Sequence, residues 1–283
     1  MKISFISLTA LVLSFFAPEK KEEPAIPLCH GAANGMALLA TNPDFIKAHA
    51  EPLPFKYTSA AGEMVKFKTP DGQMANGFLL KAKKPSNKWL FVYQEWWGLN
   101  DHIKKEAETY YNDLSNVNVL ALDMYDGKVA TKQEDAAKYM QGADQNRLQS
   151  ITKGALAYAG PKATVASVGW CFGGMLSLQS AILSGKQAVG CVMYYGFPIQ
   201  DVDKLKMLDT DVLAFFGSKD GFIPTKSVTE FEENMKKAGE KVSVKMYDAN
   251  HAFANPSNPN FDKAATEDAY KRSITYLKSK LKA

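Results

Sequence analysis

The sequence predicts an α/β fold in which a mainly parallel central sheet, with an antiparallel start, carries helices on both faces. Short runs that are apolar throughout alternate along the chain with helical patterns, and such strands are typical of parallel sheets covered on both sides. A hairpin signal precedes the first of these units. With 283 residues, 46% of them hydrophobic and 23% charged, the chain can bury one large core.

The amino terminus has the composition of a targeting segment. Lys2 is followed by an apolar run over residues 3–17 and then by a charged cluster at residues 19–23. The run is short for a membrane span and fits a secretory signal peptide. We therefore assign residues 1–17 to a signal peptide or amino-terminal anchor. The expected location is periplasmic or secreted, with membrane anchoring as the alternative if the leader is not cleaved.

The remaining elements follow in chain order. Residues 18–54 are interpreted as an extension with one helix around residues 35–50, followed by a single domain over residues 55–283. Residues 65–68 and 77–81 form a predicted hairpin, because an Asp-Gly pair between apolar alternations is a strong turn signal. Further strands are predicted at 89–93, 117–122, 164–168, 189–194, 212–216 and 242–247. Helices are predicted at 103–114, 134–139, 146–158, 174–183, 226–238 and 264–281.

A cysteine stands at the centre of a Gly-x-Cys-x-Gly pattern at residues 169–173, between a predicted strand and a predicted helix. The corresponding Gly-x-Ser-x-Gly turn holds a nucleophile on a tight strand-to-helix corner, which small residues on either side permit. Cys171 is therefore the candidate nucleophile, against the alternative of an inert buried thiol. Cys29, Cys171 and Cys191 make an odd number, so at least one cysteine in an exported protein stays free or pairs with another molecule.

A histidine and a carboxylate follow Cys171 in the order that a catalytic triad on this type of sheet requires. His251 lies in a loop between a late strand and the last helix, whereas His49 and His102 lie at predicted helices and are expected to be exposed or capping. Asp220 directly follows an apolar strand, at the edge of the sheet where α/β sites gather. The alternative for Asp220 is an ordinary surface turn with Gly221.

The three side chains have complementary chemistry. A free thiol is mostly protonated at neutral pH, so an imidazole must take its proton, and the carboxylate orients that imidazole. A carbonyl under attack also needs N–H donors for its developing negative charge. The backbone N–H of Phe172, directly after Cys171, is one candidate, and the loop at residues 94–100 is expected to supply the other.

Five collinear motifs make the chain similar to a known family. The chain resembles the dienelactone hydrolase (carboxymethylenebutenolidase) family of α/β-hydrolases over roughly residues 65–281. The motifs are Gln94-Glu95 with Gly98-Leu99-Asn100, Asp123-Met124-Tyr125, Gly169-Trp170-Cys171-Phe172-Gly173-Gly174, the segment from Gly217 to Pro224, and His251-Ala252-Phe253.

The resemblance implies a function for particular residues. Cys171, Asp220 and His251 would form the triad, and Glu95 would be an additional carboxylate that contacts the resting thiol and helps to generate the thiolate. The backbone N–H groups of Phe172 and Trp96 would form the oxyanion hole. The implied reaction is hydrolysis of an ester or lactone through a thioester intermediate, without a metal or organic cofactor.

The chain departs from the family at two substrate-binding positions. Family members that act on dienelactones bind the substrate carboxylate with two arginines, and this chain has Gly127 and Asn255 there. Lys128 is adjacent, but a lysine does not reproduce the bidentate arginine fork. A carboxylated dienelactone is therefore not the expected substrate. The candidate substrate-binding residues are Trp97, Tyr125, Lys128, Phe222, Phe253 and Asn255.

Composition narrows the class of partner. The 34 Lys and Arg are interleaved with 30 Asp and Glu, and the net charge is only +4, which disfavours nucleic-acid binding. The expected partner is a small-molecule ester or lactone, with no stable membrane span after leader removal and a monomeric state. The adjacent Cys29 and His30 are too few ligands for a metal site. The alternative function is a non-enzymatic binding or thiol-redox protein on the same fold.

Overall fold

A computed structural model describes residues 32–283, and the predicted leader at residues 1–17 and Cys29 lie outside these described residues. The strands are β1 (Gly62–Lys68), β2 (Met74–Leu80), β3 (Lys88–Tyr93), β4 (Asn118–Leu122), β5 (Thr164–Trp170), β6 (Ala188–Tyr194), β7 (Val212–Gly217) and β8 (Val242–Tyr247). The α-helices are α1 (Ala32–Leu39), α2 (Pro43–Ala48), α3 (Asp101–Asp113), α4 (Gln133–Gln141), α5 (Gln145–Ala159), α6 (Phe172–Ser184), α7 (Val202–Leu205), α8 (Thr225–Ala238) and α9 (Lys263–Leu281).

The strands form one sheet in the order β1-β2-β4-β3-β5-β6-β7-β8. Strands β1 and β2 are antiparallel to each other, β2 is antiparallel to β4, and every later pairing is parallel. The predicted α/β-hydrolase class, with its antiparallel start, is confirmed. Predicted strands and helices after the hairpin agree with the structure to within two residues at each end, because apolar runs and helical periodicity are local signals.

The predicted hairpin closes through the expected turn. Gly72 has a φ of 80°, in the left-handed region that glycine adopts readily. Its N–H donates to the Thr69 carbonyl at 3.0 Å, and the Thr69 N–H donates to the Gln73 carbonyl at 3.0 Å. The hairpin strands begin three residues earlier than predicted, at Gly62 and Met74.

Two short helices replace the single helix expected around residues 35–50. Pro43 ends the first helical segment, because proline at that position has no N–H to continue the helix, and it starts α2. Asn42 caps α2 by accepting a hydrogen bond from the Asp44 N–H at 2.9 Å.

The described part of the predicted extension packs on the domain. Met36 and Phe45 are fully buried in the main hydrophobic core. The Gln133 side-chain amide on α4 donates to the carbonyls of Ile46 and His49, at 3.0 and 2.7 Å. The boundary at residue 54 stays a prediction, but the helices before it contribute to the same core.

The order of the strands creates a crevice at their carboxyl ends. The chain places β4 on one side of β3 and then crosses to β5 on the other side. Ligands of open α/β sheets bind at such a switch point. Among residues 32–283, no helix has both the length and the apolar character needed to cross a membrane.

Candidate active site

Cys171 occupies a strained corner between β5 and α6. Its φ is 55° and its ψ is −117°, a backbone conformation that a non-glycine residue rarely adopts. The flanking glycines are required by space: a Cβ at Gly169 would collide with the Gly173 carbonyl, and a Cβ at Gly173 would collide with the carbonyls of Tyr93 and Gln94. The corner therefore holds the thiol at the carboxyl end of the sheet.

The structure brings His251 and Asp220 together with Cys171. The Nε2 atom of His251 lies 3.4 Å from the Cys171 sulfur, and its Nδ1 atom lies 2.6 Å from Oδ2 of Asp220. The other Asp220 oxygen accepts from the N–H groups of Phe222 at 2.8 Å and Ile223 at 2.9 Å. Asp220 is thus fixed by its own loop and is not a solvent-exposed turn residue, since only 5% of it is exposed.

The electrostatics of this buried group couple the thiol to the imidazole. Burial acts to lower the pKa of His251, but the negative charges of Asp220 and Cys171 outweigh it and raise that pKa to about 10. Burial raises the pKa of the Cys171 thiol, and the neighbouring His251 acts against that rise. A proton can therefore pass from the sulfur to Nε2, where the carboxylate stabilises the imidazolium.

Glu95 lies in the loop after β3 and is buried. One of its oxygens accepts a 2.6 Å hydrogen bond from the Asn255 amide, and the other accepts a 3.4 Å bond from the Tyr195 hydroxyl. Burial raises the pKa of Glu95 to about 7, while His251 and these hydrogen bonds act in the opposite direction. The contact with the resting thiol that the resemblance implied is not among the hydrogen bonds of the described residues.

The predicted N–H donors lie next to the nucleophile. Phe172 is the first residue of α6, so its N–H has no intrahelical partner, and it faces the Cys171 sulfur, where it helps to lower the thiol pKa. The loop containing Trp96 leaves β3, which is paired with β5. Trp96 itself is fully buried. The oxyanion-hole assignment of both N–H groups stays a prediction.

Three of the predicted substrate-binding residues are aromatic and pack against other residues of the candidate site. Tyr125 stacks on Phe172 at 5.6 Å, with its hydroxyl buried and lacking a hydrogen-bond partner among the described residues. Phe222 packs edge-on against His251 at 5.8 Å, and Phe253 packs against Tyr195 at 5.2 Å.

Trp97 and Asn255 line a surface pocket that reaches Glu95. His102 is at the same pocket and its Nε2 lies 3.0 Å from the Leu53 carbonyl oxygen. Lys128 does not line this pocket: it is exposed, with its ammonium 5.7 Å from the centre of the Tyr139 ring. The pocket therefore combines carboxylate, amide and indole groups.

Two further residues at the site were not expected from the sequence. His49 was predicted to be exposed or capping: it is the C-cap residue of α2, as the second alternative expects, but it is not exposed. Only 3% of it is accessible, because α2 folds over Cys171. Its ring lies 5.2 Å from that of His251 and 4.8 Å from that of Trp96. Phe45, one turn earlier, packs edge-on against Trp96 at 5.4 Å. Nothing in the local sequence around these residues indicates the contact, because it depends on how the amino-terminal segment docks.

Tyr195 is a third unexpected residue, and here the sequence contains a signal. It directly follows β6, at the edge of the sheet where the other candidate residues lie. Its φ is 38°, its ring packs edge-on against His251 at 5.1 Å, and its hydroxyl reaches Glu95. A polar aromatic residue immediately after a buried parallel strand is therefore a site candidate in this fold.

Comparisons with known proteins agree on one family. The family model described as the dienelactone hydrolase family matches residues 75–281. The chain is 28% identical over 240 residues to Protein usf of Aquifex pyrophilus, covering 78% of this chain and 99% of that protein. It is 24% identical over 232 residues to carboxymethylenebutenolidase 1 of Cupriavidus pinatubonensis, covering 75% and 95%.

The fold also matches solved structures. A dienelactone hydrolase-like promiscuous phosphotriesterase from metagenomic libraries superposes with a TM-score of 0.67 at 21% identity, covering 78% of this chain and 99% of that one. At this identity the match supports the fold alone.

Proposed function

Since the chain belongs to the dienelactone hydrolase family, we propose that it hydrolyses a small carboxylic ester or lactone with Cys171 as the nucleophile. A hydrolase acting on ester or lactone bonds is what the family membership establishes. The observation that carries the finer proposal is the buried hydrogen-bonded series Asp220–His251–Cys171, with contacts of 2.6 and 3.4 Å.

The reaction has two halves. In the first, His251 takes the thiol proton, the Cys171 sulfur attacks the substrate carbonyl carbon, and the alcohol leaves with the proton from the imidazolium. The acyl group then remains on sulfur as a thioester. In the second half, His251 takes a proton from water, the resulting hydroxide equivalent attacks the thioester carbon, and the sulfur leaves and regains its proton. The N–H groups of Phe172 and Trp96 would stabilise the oxyanion in both halves.

Glu95 is proposed to assist formation of the thiolate. Its pKa of about 7 places it between the protonated and ionised forms at neutral pH, so it can accept a proton. Its negative charge also raises the Cys171 pKa and so favours the protonated thiol while no substrate is bound. Asn255 and Tyr195 hold the carboxylate in place. The Glu95 carboxylate is therefore suited to keep the Cys171 thiol protonated before substrate binds. It is also suited to accept a proton when the thiol ionises.

The pocket favours a neutral substrate. Its lining includes the carboxylates of Glu95 and Glu106 and the indole of Trp97, with Lys105 and His102 as the basic groups. Asn255, which stands where dienelactone-specific relatives have an arginine, donates its amide to Glu95. No arginine fork is therefore available in this pocket to bind a substrate carboxylate.

Hydrolysis is favoured over the alternative of a thiol-redox or binding protein. Redox-sensing cysteines are exposed and have a low pKa. Cys171 is 1% exposed and burial raises its pKa, so it does not have these properties in the resting protein.

The direct test is turnover of a small activated aryl ester. We expect the purified protein to hydrolyse the ester and Cys171→Ala to lose at least about 10³-fold in kcat, because the nucleophile is gone. Cys191→Ala is the matched control, since Cys191 is also a buried free thiol but contacts Ser177 in the core, at 3.5 Å. Undiminished turnover by Cys171→Ala would contradict the proposed nucleophile.

We also propose that the protein is exported, to the periplasm or beyond the cell. The support is the sequence pattern of residues 1–17, a basic residue followed by a short apolar run. Cell fractionation combined with amino-terminal mass determination tests this. A full-length chain in the cytoplasmic fraction contradicts export, and a full-length chain in the membrane fraction indicates the uncleaved anchor.

A further inference from the structure

Three metal-ligating side chains converge at the candidate nucleophile. One ring nitrogen of His49, one ring nitrogen of His251 and the sulfur of Cys171 all lie within 4.8 Å of one another. Each of the three residues is no more than 3% exposed. His49 directly follows α2, and the proposed hydrolysis gives it no role. The cluster therefore contains one ligating residue in addition to the proposed catalytic pair of Cys171 and His251.

Both imidazoles of this cluster are oriented by a hydrogen bond from Nδ1. Nδ1 of His49 lies 2.7 Å from the Phe45 carbonyl oxygen, and Nδ1 of His251 lies 2.6 Å from the Asp220 carboxylate. A carbonyl or carboxylate oxygen only accepts, so each Nδ1 carries a proton. Nε2 of His49 is then left with a lone pair, and Nε2 of His251 has one once the proton that it shares with the Cys171 sulfur has left. Metal-bound histidines are oriented by outer partners of these two kinds.

His49 has a ring nitrogen without a partner among the described residues. Its Nε2 is buried and makes no hydrogen bond within the described residues. An unsatisfied buried polar atom destabilises the folded protein, and a ligand bound there would offset that cost.

The spacing is close to that of a zinc site. Zn–N bonds of about 2.0–2.1 Å and Zn–S bonds of about 2.3 Å place tetrahedral ligand atoms roughly 3.3–3.6 Å apart. The His251–Cys171 pair is already at 3.4 Å. The remaining distances, at most 4.8 Å, require a shift of about 1 Å by the His49 side chain. Asp220 beside His251 adds negative charge that favours a cation.

We propose that His49, Cys171 and His251 bind a Zn²⁺ ion, with the fourth position left to a water molecule. Binding exchanges the thiol proton for the metal: the proton leaves to solvent and the thiolate sulfur donates an electron pair to Zn²⁺. No redox step is involved. The metal would occupy both the sulfur and the Nε2 lone pair that hydrolysis needs, so it acts as a reversible inhibitor and not as a cofactor. The inhibition rests on the proposed function, whereas the binding does not.

The test uses Co²⁺ as a spectroscopic substitute for Zn²⁺ in the full chain carrying Cys29→Ala. We expect one Co²⁺ per chain, a near-ultraviolet absorption band from thiolate-to-cobalt charge transfer, and loss of the band on adding Zn²⁺. Cys171→Ala should abolish the band. His49→Gln should weaken binding by at least about tenfold, because one of three protein ligands is removed.

His49→Phe is the second variant, because a phenyl ring preserves the packing against Phe45 and Trp96 while removing the ligand atom. The controls are His102→Gln, at the neighbouring pocket, and Cys191→Ala, in the core, and both should bind as the parent does. The proposal is overturned if the parent shows no charge-transfer band with excess Co²⁺, or if folded His49→Phe binds as tightly as the parent. Ester hydrolysis is measured separately, so an inactive protein that shows the band contradicts only the hydrolytic mechanism.

Discussion

At the scale of single residues, the buried pair of His251 and Asp220 determines the state of the thiol. The carboxylate accepts from Nδ1 at 2.6 Å and thereby leaves Nε2 to face the sulfur. Asp220 in turn is held by two backbone N–H groups of its loop, at 2.8 and 2.9 Å. The orientation of the imidazole is therefore set by a residue that does not itself touch the reacting atoms.

Asp220→Asn tests this orientation. An amide donor at this position favours the wrong imidazole tautomer, so we expect kcat to fall by about 10⁴-fold while the fold is retained. The measurement is aryl-ester turnover combined with circular dichroism. Asp248→Asn, at an exposed carboxylate paired with Lys219 at 2.9 Å, is the control and should keep parental activity. A folded Asp220→Asn variant with parental kcat would show that the carboxylate has no orienting function.

Glu95 gives a second residue-scale prediction, for stability against pH. Its pKa in the folded protein is about 7, above the usual carboxyl value of 4.5, so the folded state keeps a proton that the unfolded chain releases. The free energy of unfolding should therefore fall as the pH rises from about 4.5 to about 7, by roughly 3 kcal/mol in total. Glu95→Gln should remove this fall and be the more stable protein at pH 8.

Urea unfolding at pH 4.5 and pH 8 measures the effect of Glu95→Gln. The exposed Glu63→Gln variant, on β1, is the matched control and should change with pH as the parent does. If the parent and Glu95→Gln show the same pH dependence, the raised pKa of Glu95 is not a property of the folded protein.

At the scale of elements, α2 acts as a cover over Cys171, the candidate nucleophile. Phe45 is fully buried and packs edge-on against Trp96 and Phe222, at 5.4 and 5.1 Å. Its ring centre also lies 5.9 Å from that of His251. A six-residue helix has little stability of its own, so this packing is what keeps α2 in place.

Phe45→Ala should loosen the cover. We expect a loss of about 3–5 kcal/mol in the free energy of unfolding, because a fully buried phenyl ring leaves a cavity. We also expect faster modification of Cys171 by iodoacetamide, measured by mass spectrometry in the Cys29→Ala background. Leu38→Ala is the control, since Leu38 lies on α1 and is 66% exposed. Equal modification rates in the parent and Phe45→Ala would contradict the covering role of α2.

At the scale of the whole molecule, we expect the charge of the pocket, and not the net charge of the chain, to set the substrate preference. The chain is slightly basic, at +4, yet the pocket is lined by two glutamates, Glu95 and Glu106. A substrate carboxylate placed near ionised Glu95 would be repelled. No arginine lines the pocket, and its one lysine, Lys105, is already paired with Glu108 at 3.4 Å.

Paired substrates of similar size test this preference. We expect a neutral aryl ester to have a kcat/KM at least about tenfold higher than an analogue with a carboxylate on the acyl group, which corresponds to about 1.4 kcal/mol. Repeating the comparison at high salt should narrow the difference, since salt screens charges near the surface. A preference for the anionic ester would contradict the neutral-substrate proposal.

The sequence predicts much of the fold because the relevant signals are local. Apolar runs, helical periodicity and the Asp71-Gly72 turn each act over a few residues, so the strands after the hairpin were located to within two residues. The same holds for the candidate site. Cys171, Asp220 and His251 each follow a predicted strand, and parallel strands bring their carboxyl ends to one edge.

The sequence did not predict the contacts between segments that are distant in the chain. His49 was expected to be exposed or capping, and it does cap α2, but its burial depends on where that helix docks, of which the local sequence contains no sign. The partners of Glu95 were equally hidden: Asn255 lies 160 positions away in the chain and Tyr195 lies 100 away.

The sequence by itself determined the α/β architecture and the order nucleophile, acid, base, since both are encoded in residue types and their spacing. Only the tertiary structure decided what surrounds the thiol: α2 covers it, and His49 joins Cys171 and His251 within 4.8 Å. The physical reason is that burial and electrostatic coupling depend on through-space distances. Those distances arise only when the amino-terminal segment packs against the carboxyl edge of the sheet.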